Sequence, residues 1–297
     1  MLLQISVVIG TLNQREVLEK VLLSFDEQTL PKDQFEVIVV DSSSTDSTAS
    51  FLAQFKPQYK FRYTIQPNQG KAAARNRGAK EAQAPILLIT DADMIAHPEL
   101  LETHVKAHQF AKKATCFEGL TFNMDRLAWP VTQAQLTPYI QRDLKPFSKL
   151  GWYYFLTGNL SLPKAVFDTF EGFNELFKGY GWEDLELGYR LSKKNIPLIY
   201  LKQAVNYHYH VVSELDEMSR NVAKGQSARI FLNLHPELKW FLGLNPISRW
   251  VFPAIKPHHF IYKKAQEWFE RPTHDKRRRF GAWFLKEHAY LKGVLGF

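Results

Sequence analysis

Four short runs of apolar and β-branched residues, Ile5 to Ile9, Phe35 to Val40, Phe61 to Ile65 and Ile86 to Thr90, punctuate the first half of the chain. Between them the apolar positions recur at helical spacing, over Arg15 to Glu27, Thr45 to Phe55 and Lys71 to Ala82. Strands alternating with helices of this length predict βαβ units, hence an α/β fold with a mainly parallel central sheet flanked by helices. In such sheets ligands bind beyond the carboxyl ends of the strands. Three of the four runs end there in polar residues: Thr11 and Asn13, Asp41, and Asp91 with Asp93. Beyond Ser213 the pattern turns helical, broken by Pro236, Pro246, Pro253 and Pro257.

Composition narrows this picture. At 45% hydrophobic and 23% charged residues the 297-residue chain has ordinary globular usage and is not disordered. Its 41 aromatic residues exceed the needs of a core, so some rings are expected to face a ligand or partner. A single cysteine, Cys116, excludes an intramolecular disulfide framework and a cysteine-based zinc cluster, which suits a reducing compartment, by default the cytoplasm. No stretch approaches the ~18 apolar residues of a membrane span, and the apolar start reads as a buried strand, not a signal peptide. The net charge is +8, but Lys256 to Phe297 holds ten Lys or Arg against four Asp or Glu, so the excess is a local basic tail.

Four constellations carry candidate chemistry. Asp91-Ala92-Asp93, at a strand end, can share one hard divalent cation with substrate phosphates, or form a turn and helix cap. Gly70-Lys71-Ala-Ala-Ala-Arg75-Asn-Arg-Gly78 opens a helix whose amides attract phosphate, with Lys71 and Arg75 on one face; a solvated basic face is the rival reading. Gly181-Trp182-Glu183-Asp184 starts a third pattern: the acids complement a helix dipole or face a cleft, and Trp182 is either a sugar platform or a half-buried core ring. Tyr207-His208-Tyr209-His210 puts two imidazoles on one strand face, to complete a metal site at Asp93 or to cap a sheet edge.

Together these features resemble the family 2 glycosyltransferases, with a nucleotide-sugar-binding domain of the GT-A fold. The resemblance spans about residues 4 to 215. It rests on Ile5-Ser-Val-Val-Ile-Gly-Thr-Leu-Asn13, Leu22 to Pro31, Phe35 to Asp46, Asn68 to Gly78 and Asp91-Ala-Asp93, in the family's order and spacing. Gly158-Asn159-Leu-Ser-Leu162 and the Glu183-Asp184 helix resemble its acceptor half, particularly in galactosyltransferase-like members. The resemblance implies a catalytic domain over 1–212, with a donor half to about 120 and an acceptor half beyond, followed by a helical extension over 213–297. It also implies that Thr11, Asn13 and Asp41 surround the nucleotide base and ribose, that Asp41 accepts from uracil, and that Arg75 lies near the base and Lys71 near the phosphates. Asp91 would hold the ribose or the metal, and Asp93 would ligate Mn²⁺ or Mg²⁺ on the diphosphate. Asp184 would be the general base, with Trp182, Glu183, Gly158 and Asn159 around the acceptor. In two places this chain departs from the family pattern. Asp41-Ser-Ser-Ser44 replaces the frequent Asp-Asp-Gly-Ser, and the glycine usual between Trp and Glu-Asp in galactosyltransferase-like members is missing.

The chemistry asks for these residue types. A nucleoside diphosphate leaves readily only if its growing charge is neutralised, and an acceptor hydroxyl attacks well only if a positioned carboxylate takes its proton. One base and one displacement invert the anomeric centre, as in analogous sugar chemistry. The expectation is therefore an inverting, metal-dependent hexosyltransferase that takes a nucleotide-sugar, a UDP-sugar first, and a glycan, lipid-linked or peptide acceptor. A non-catalytic nucleotide-sugar-binding or membrane scaffold protein is the alternative. Lys276-Arg-Arg-Arg279 beside Trp283, Phe284, Tyr290 and Phe297 suits a helix on an anionic membrane surface, and a solvated face on a packed helix equally. No recognised nucleic-acid module accompanies that segment, so nucleic acid is not an expected partner.

Overall fold

A computed structural model of the chain describes residues 2–133, 136–138, 143–209, 214–272 and 275–297. Close packing divides it into two units: residues 1–175 with 183–211, and residues 176–182 with 212–297. The segment Leu176–Trp182 packs with the C-terminal helices although it lies inside the expected catalytic domain.

In the first unit, β1 (Ile5–Thr11), α1 (Arg15–Asp26), β2 (Phe35–Asp41), α2 (Thr48–Gln54), β3 (Lys60–Ile65), α3 (Lys71–Glu81) and β4 (Ile86–Asp91) alternate as the hydrophobic pattern requires. Next come β5 (Met94–Ala96), α4 (Leu100–Phe110), β6 (Cys116–Met124), β7 (Leu136–Pro138), β8 (Lys149–Leu150), β9 (Leu160–Pro163), α5 (Lys164–Thr169), α6 (Glu183–Lys193) and β10 (Leu198–Tyr209). These strands form one sheet in the order β3-β2-β1-β4-β9-β6-β10-β5, with β7 on β6 and β8 on β10. The α/β class is the expected one. The sheet is parallel through its first four strands and mixed after them, because β9 lies antiparallel to both β4 and β6. No helical crossover feeds β9. The chain reaches it after β7, β8 and a short 3₁₀ turn, so nothing fixes it parallel to β4.

Periodicity explains both the core and the position of α3. β1 and β2 are apolar and buried on both faces, as strands covered by helices must be. The core-facing side of α3 is made of small residues: Ala72, Ala79 and Gly78 are buried, and a Cβ at Gly78 would come within 2.5 Å of Val8 Cγ1. Only glycine allows that approach, and it brings the first turns of α3, with Lys71 and Arg75, over the strand ends.

The second unit consists of α7 (Glu214–Leu234), α8 (Pro246–Ala254), α9 (Phe260–Phe269) and α10 (Lys276–Leu295). α7 and α10 cross at Gly225 and Gly293, where an added Cβ would meet Tyr290 O at 2.0 Å and Val222 O at 2.2 Å. Among the described residues no helix is long and apolar enough to cross a membrane.

Candidate active site

Strand register gathers the expected donor residues. Thr11 is the partner of Asp41 across β1 and β2, and Gly10 is the partner of Asp91 across β1 and β4, so three strand ends meet at one edge. Arg75, only 2% exposed, points into this edge and joins two carboxylates. Its Nη2 donates to Asp91 Oδ1 at 2.6 Å and its Nη1 to Glu183 Oε1 at 2.8 Å, while Lys71 Nζ lies 3.7 Å from Asp91 Oδ2. Burial would raise the pKa of Asp91, yet Lys71 and Arg75 outweigh it and hold the carboxyl below its ordinary value. Arg75 therefore belongs to an ion-pair chain and does not lie open for a nucleobase. Its guanidinium links the end of β4 to the start of α6.

Asp184 follows on that first turn of α6. Its Oδ1 accepts the Leu185 N–H at 2.8 Å, and burial together with the neighbouring Glu183 pushes its carboxyl up to about 7. Arg75 opposes this only in part, since its short hydrogen bonds go to Asp91 and Glu183. A carboxyl poised near neutrality is what a general base at physiological pH requires.

The donor-base side differs in detail from the sequence reading. Asp41 is fully buried, and its carboxylate accepts from Ser44 N and Ser44 Oγ, so it is closed into its own turn. Asn13, at φ 52°, accepts the Thr45 N–H at 2.7 Å and ties the β1 and β2 loops together. Beside them lie two buried polar atoms without hydrogen-bond partners among the described residues, Thr11 Oγ1 and Gln66 Nε2. Gln66 was not singled out in the sequence, although the rule that identified Asp41 and Asp91, a polar residue just past a strand, points to it after Ile65.

Ser43 accounts for the Asp-Ser-Ser-Ser departure. It stands where the family has glycine and takes φ 57°, the left-handed region, with its hydroxyl donating to Gln66 O at 2.8 Å. Ser43→Gly is expected to relieve that strain and raise stability by ~0.5 kcal/mol after losing the hydrogen bond, read from the denaturant midpoint. A lower midpoint would show the Ser43 hydrogen bond to be the stronger effect.

The acceptor residues separate. Asn159 is 1% exposed, and its amide donates to Leu120 O and Ala204 O while its Oδ1 pairs with His104 Nε2. It satisfies carbonyls beside the register shift between Leu201 and Val205 and holds the sheet, not an acceptor. The Gly158 carbonyl accepts from Thr90 Oγ1 and Asn206 Nδ2. Trp182, at φ 77°, belongs to the second unit, where its Nε1 donates to Lys224 O and its ring packs on Phe231 and Phe241. It is a partly buried packing ring there.

The expected metal set is also reduced. His210 lies outside the described residues. Asp91 is held by two cations, which does not suit a metal ligand. His208 Nδ1 lies 3.2 Å from Asn123 Oδ1, and its Nε2 lies 3.6 Å from Asp93 Oδ2. Among the described residues no group of three His, Cys, Asp or Glu could hold a metal alone. Asp93 and His208, a carboxylate and an imidazole 3.6 Å apart, are the residues that could hold a divalent ion whose remaining ligands come from a diphosphate.

Comparison with known proteins bears on the family and the fold. The model of the family described as glycosyl transferase family 2 matches residues 6–169, and that of the N-terminal domain of galactosyltransferase matches residues 144–214. The validoxylamine A glucosyltransferases of two Streptomyces hygroscopicus subspecies, jinggangensis and limoneus, are each 29% identical over 293 residues, covering 89% of this chain and 68% and 63% of their own lengths. Among solved structures, Staphylococcus aureus TarS 1–349 in complex with UDP-GlcNAc has a TM-score of 0.61 at 17% identity, over 99% of this chain and 91% of that one. The Pyrobaculum calidifontis mannosyltransferase in complex with GDP-Man and Mn²⁺ has a TM-score of 0.60 at 16% identity, over 99% and 87%. Likeness at this identity speaks to the fold, and the GT-A architecture is the one expected.

Proposed function

Because this chain belongs to glycosyl transferase family 2, we propose that it is an inverting transferase moving a sugar from a nucleoside diphosphate, UDP first, to a hydroxyl of a glycan, lipid-linked or peptide acceptor. The observation that carries this reading is the Arg75 bridge, which puts the donor-side Asp91 and the α6 turn bearing Asp184 in one cluster. Lys71, exposed at the same edge, supplies positive charge for a diphosphate. Gln66 Nε2 and Thr11 Oγ1, the buried polar atoms left without partners beside these strand ends, offer a donor and a donor-acceptor to a nucleobase edge. A divalent ion held by Asp93 and His208 would neutralise charge on the departing nucleotide. Asp184 takes the acceptor proton as the new bond forms. Glu183, fixed by Arg75, keeps that turn in place.

Titration of UDP with and without EDTA tests the donor and metal parts. Affinity is expected to fall strongly with EDTA and to recover with Mn²⁺ or Mg²⁺. Equal affinity in both would return Asp93 and His208 to structural roles. The alternative, a non-catalytic binder, would share this result but would have no use for a base poised near neutrality.

The second unit supports a peripheral, cytoplasmic-face placement. Its exposed rings include Trp240, Trp250, Phe260, Phe280 and Trp283, with Lys263, Lys264 and Arg277 to Arg279 in the same helices and their approaches. Phe284 is buried, and Phe297 packs on His288, so those two belong to the core. Sedimentation with anionic liposomes that is unchanged by the paired substitution Trp250→Ser and Trp283→Ser would remove this role.

A further inference from the structure

Away from the strand ends, the first unit carries a second feature that sugar transfer does not use. A groove of about 450 Å³ lies between α4 and the first residues of β10, with Ala107, Ala111, Phe117, Ile199 and Leu201 in its lining. Two rings on its rim face water: Phe110 is 83% exposed and Phe147 is 61% exposed. Phe147 takes φ 58°, a left-handed backbone that a bulky residue seldom adopts, and its N–H donates to Tyr200 O at 2.8 Å. Single exposed apolar residues need no explanation, but two phenyl rings flanking an apolar groove form a contiguous patch.

Charge identifies what would cover it. The groove is lined by Lys106, and the adjoining segments carry Lys112, Lys113, Lys145, Lys149 and Lys202, all exposed. Of the acids in those segments, Glu102 is paired with Lys106 and Glu118 is buried, which leaves Asp143. A protein partner built to match would need both a hydrophobic ridge and an acidic rim of its own. An anionic bilayer provides both without further assumption, since acyl chains lie beneath a layer of negative headgroups. We propose that this groove docks on an anionic phospholipid surface, with Phe110 and Phe147 entering the headgroup layer and the lysines pairing with phosphates.

The sheet makes such docking compatible with turnover. β4, β6 and β10 run in the same direction, so Leu198 to Leu201 lie at the edge opposite Asp91 and His208. On the paired strand β6 six residues separate Phe117, the partner of Ile199, from Asn123, the partner of His208, on the order of 20 Å. Lipid at the groove leaves the strand-end cleft uncovered.

The lone cysteine supplies the test. Cys116 is 1% exposed, and burial pushes its thiol up to about 12, so a thiol dye attached to the full-length Phe110→Cys variant labels that position alone. An environment-sensitive dye there is expected to shift to the blue on phosphatidylglycerol vesicles, to stay unshifted on phosphatidylcholine vesicles, and to return with added salt. Adding Lys112→Gln and Lys113→Gln is expected to weaken that vesicle affinity by roughly thirtyfold. The shift should persist when Trp250 and Trp283 are both replaced by Ser, which separates this surface from the second unit's. Three results would overturn the proposal: no shift on anionic vesicles, an equal shift on both lipids, or a shift that grows with protein concentration without lipid, which would mean that a second copy covers the groove.

Discussion

Asp184→Asn is expected to lose at least ~10² of the transfer rate while binding nucleotide with unchanged affinity and melting at a higher temperature than the parent at pH 8. The rate falls because the amide keeps the size of the carboxylate and its acceptance of the Leu185 N–H but cannot take a proton. Stability rises for a reason of opposite sign. The folded protein holds the Asp184 proton up to about pH 7, whereas the unfolded chain releases it near 3.8. Between those values the native state binds more protons than the unfolded one, so this carboxyl contributes stability at low pH that is lost as pH rises toward 7. Above 7 a partly buried charge is carried at a cost, and removing it is worth ~1–2 kcal/mol, a few degrees in Tm for a chain of this size. The difference between variant and parent should therefore vanish below pH 4 and reach its full size above 7. A helix-end charge without catalytic work would give the reverse: ~0.3 to 1 kcal/mol lost and the rate retained. Differential scanning calorimetry at several pH values, beside transfer assays at saturating donor, distinguishes the two.

The second large effect is on stability. Arg75→Met leaves the Asp91 and Glu183 carboxylates without their shared cation, and breaking a buried pair from one side costs ~3–5 kcal/mol. Against a marginal total stability that is enough to unfold much of the protein at 37 °C. Arg75→Lys keeps the charge but has no planar fork with which to reach both carboxylates, so it should fold with ~1–2 kcal/mol lost and transfer sugar poorly. Urea midpoints measure the first effect and turnover the second. A fully active Lys variant would show that the bridge need not be bidentate and that Arg75 is there for its charge alone.

What the sequence disclosed follows from which physical rules are local. The four parallel strands and α3 were legible because apolar runs, helical spacing and the small-residue face Ala72, Gly78 and Ala79 are properties of short segments. The strand-end rule likewise located Thr11, Asp41 and Asp91 without any knowledge of their neighbours. Pairings between distant segments left no such trace. That Arg75 would join Glu183, 108 positions away, rather than meet a nucleobase depends on where α6 docks, and nothing near Arg75 encodes it. The contacts of Asn159 are hidden for the same reason: they depend on the β10 register shift beside the Ala204 carbonyl that it satisfies. The antiparallel placement of β9 came from long connections, where local pattern is silent. Ser43 is an intermediate case, since a missing family glycine signalled an unusual turn but not that serine would adopt glycine's backbone there.

The central claim is that Asp184 takes a proton from an acceptor while Lys71 and its neighbours hold a nucleoside diphosphate. Nucleotide release from a panel of UDP- and GDP-sugars with Mn²⁺ and hydroxyl acceptors, followed from pH 5 to 9, tests it most directly. At least one donor is expected to be turned over, with a kcat/KM that rises with pH and levels off near 7, as Asp184 loses its proton. A rate that is flat or falling across that range, or release from no donor, would contradict it.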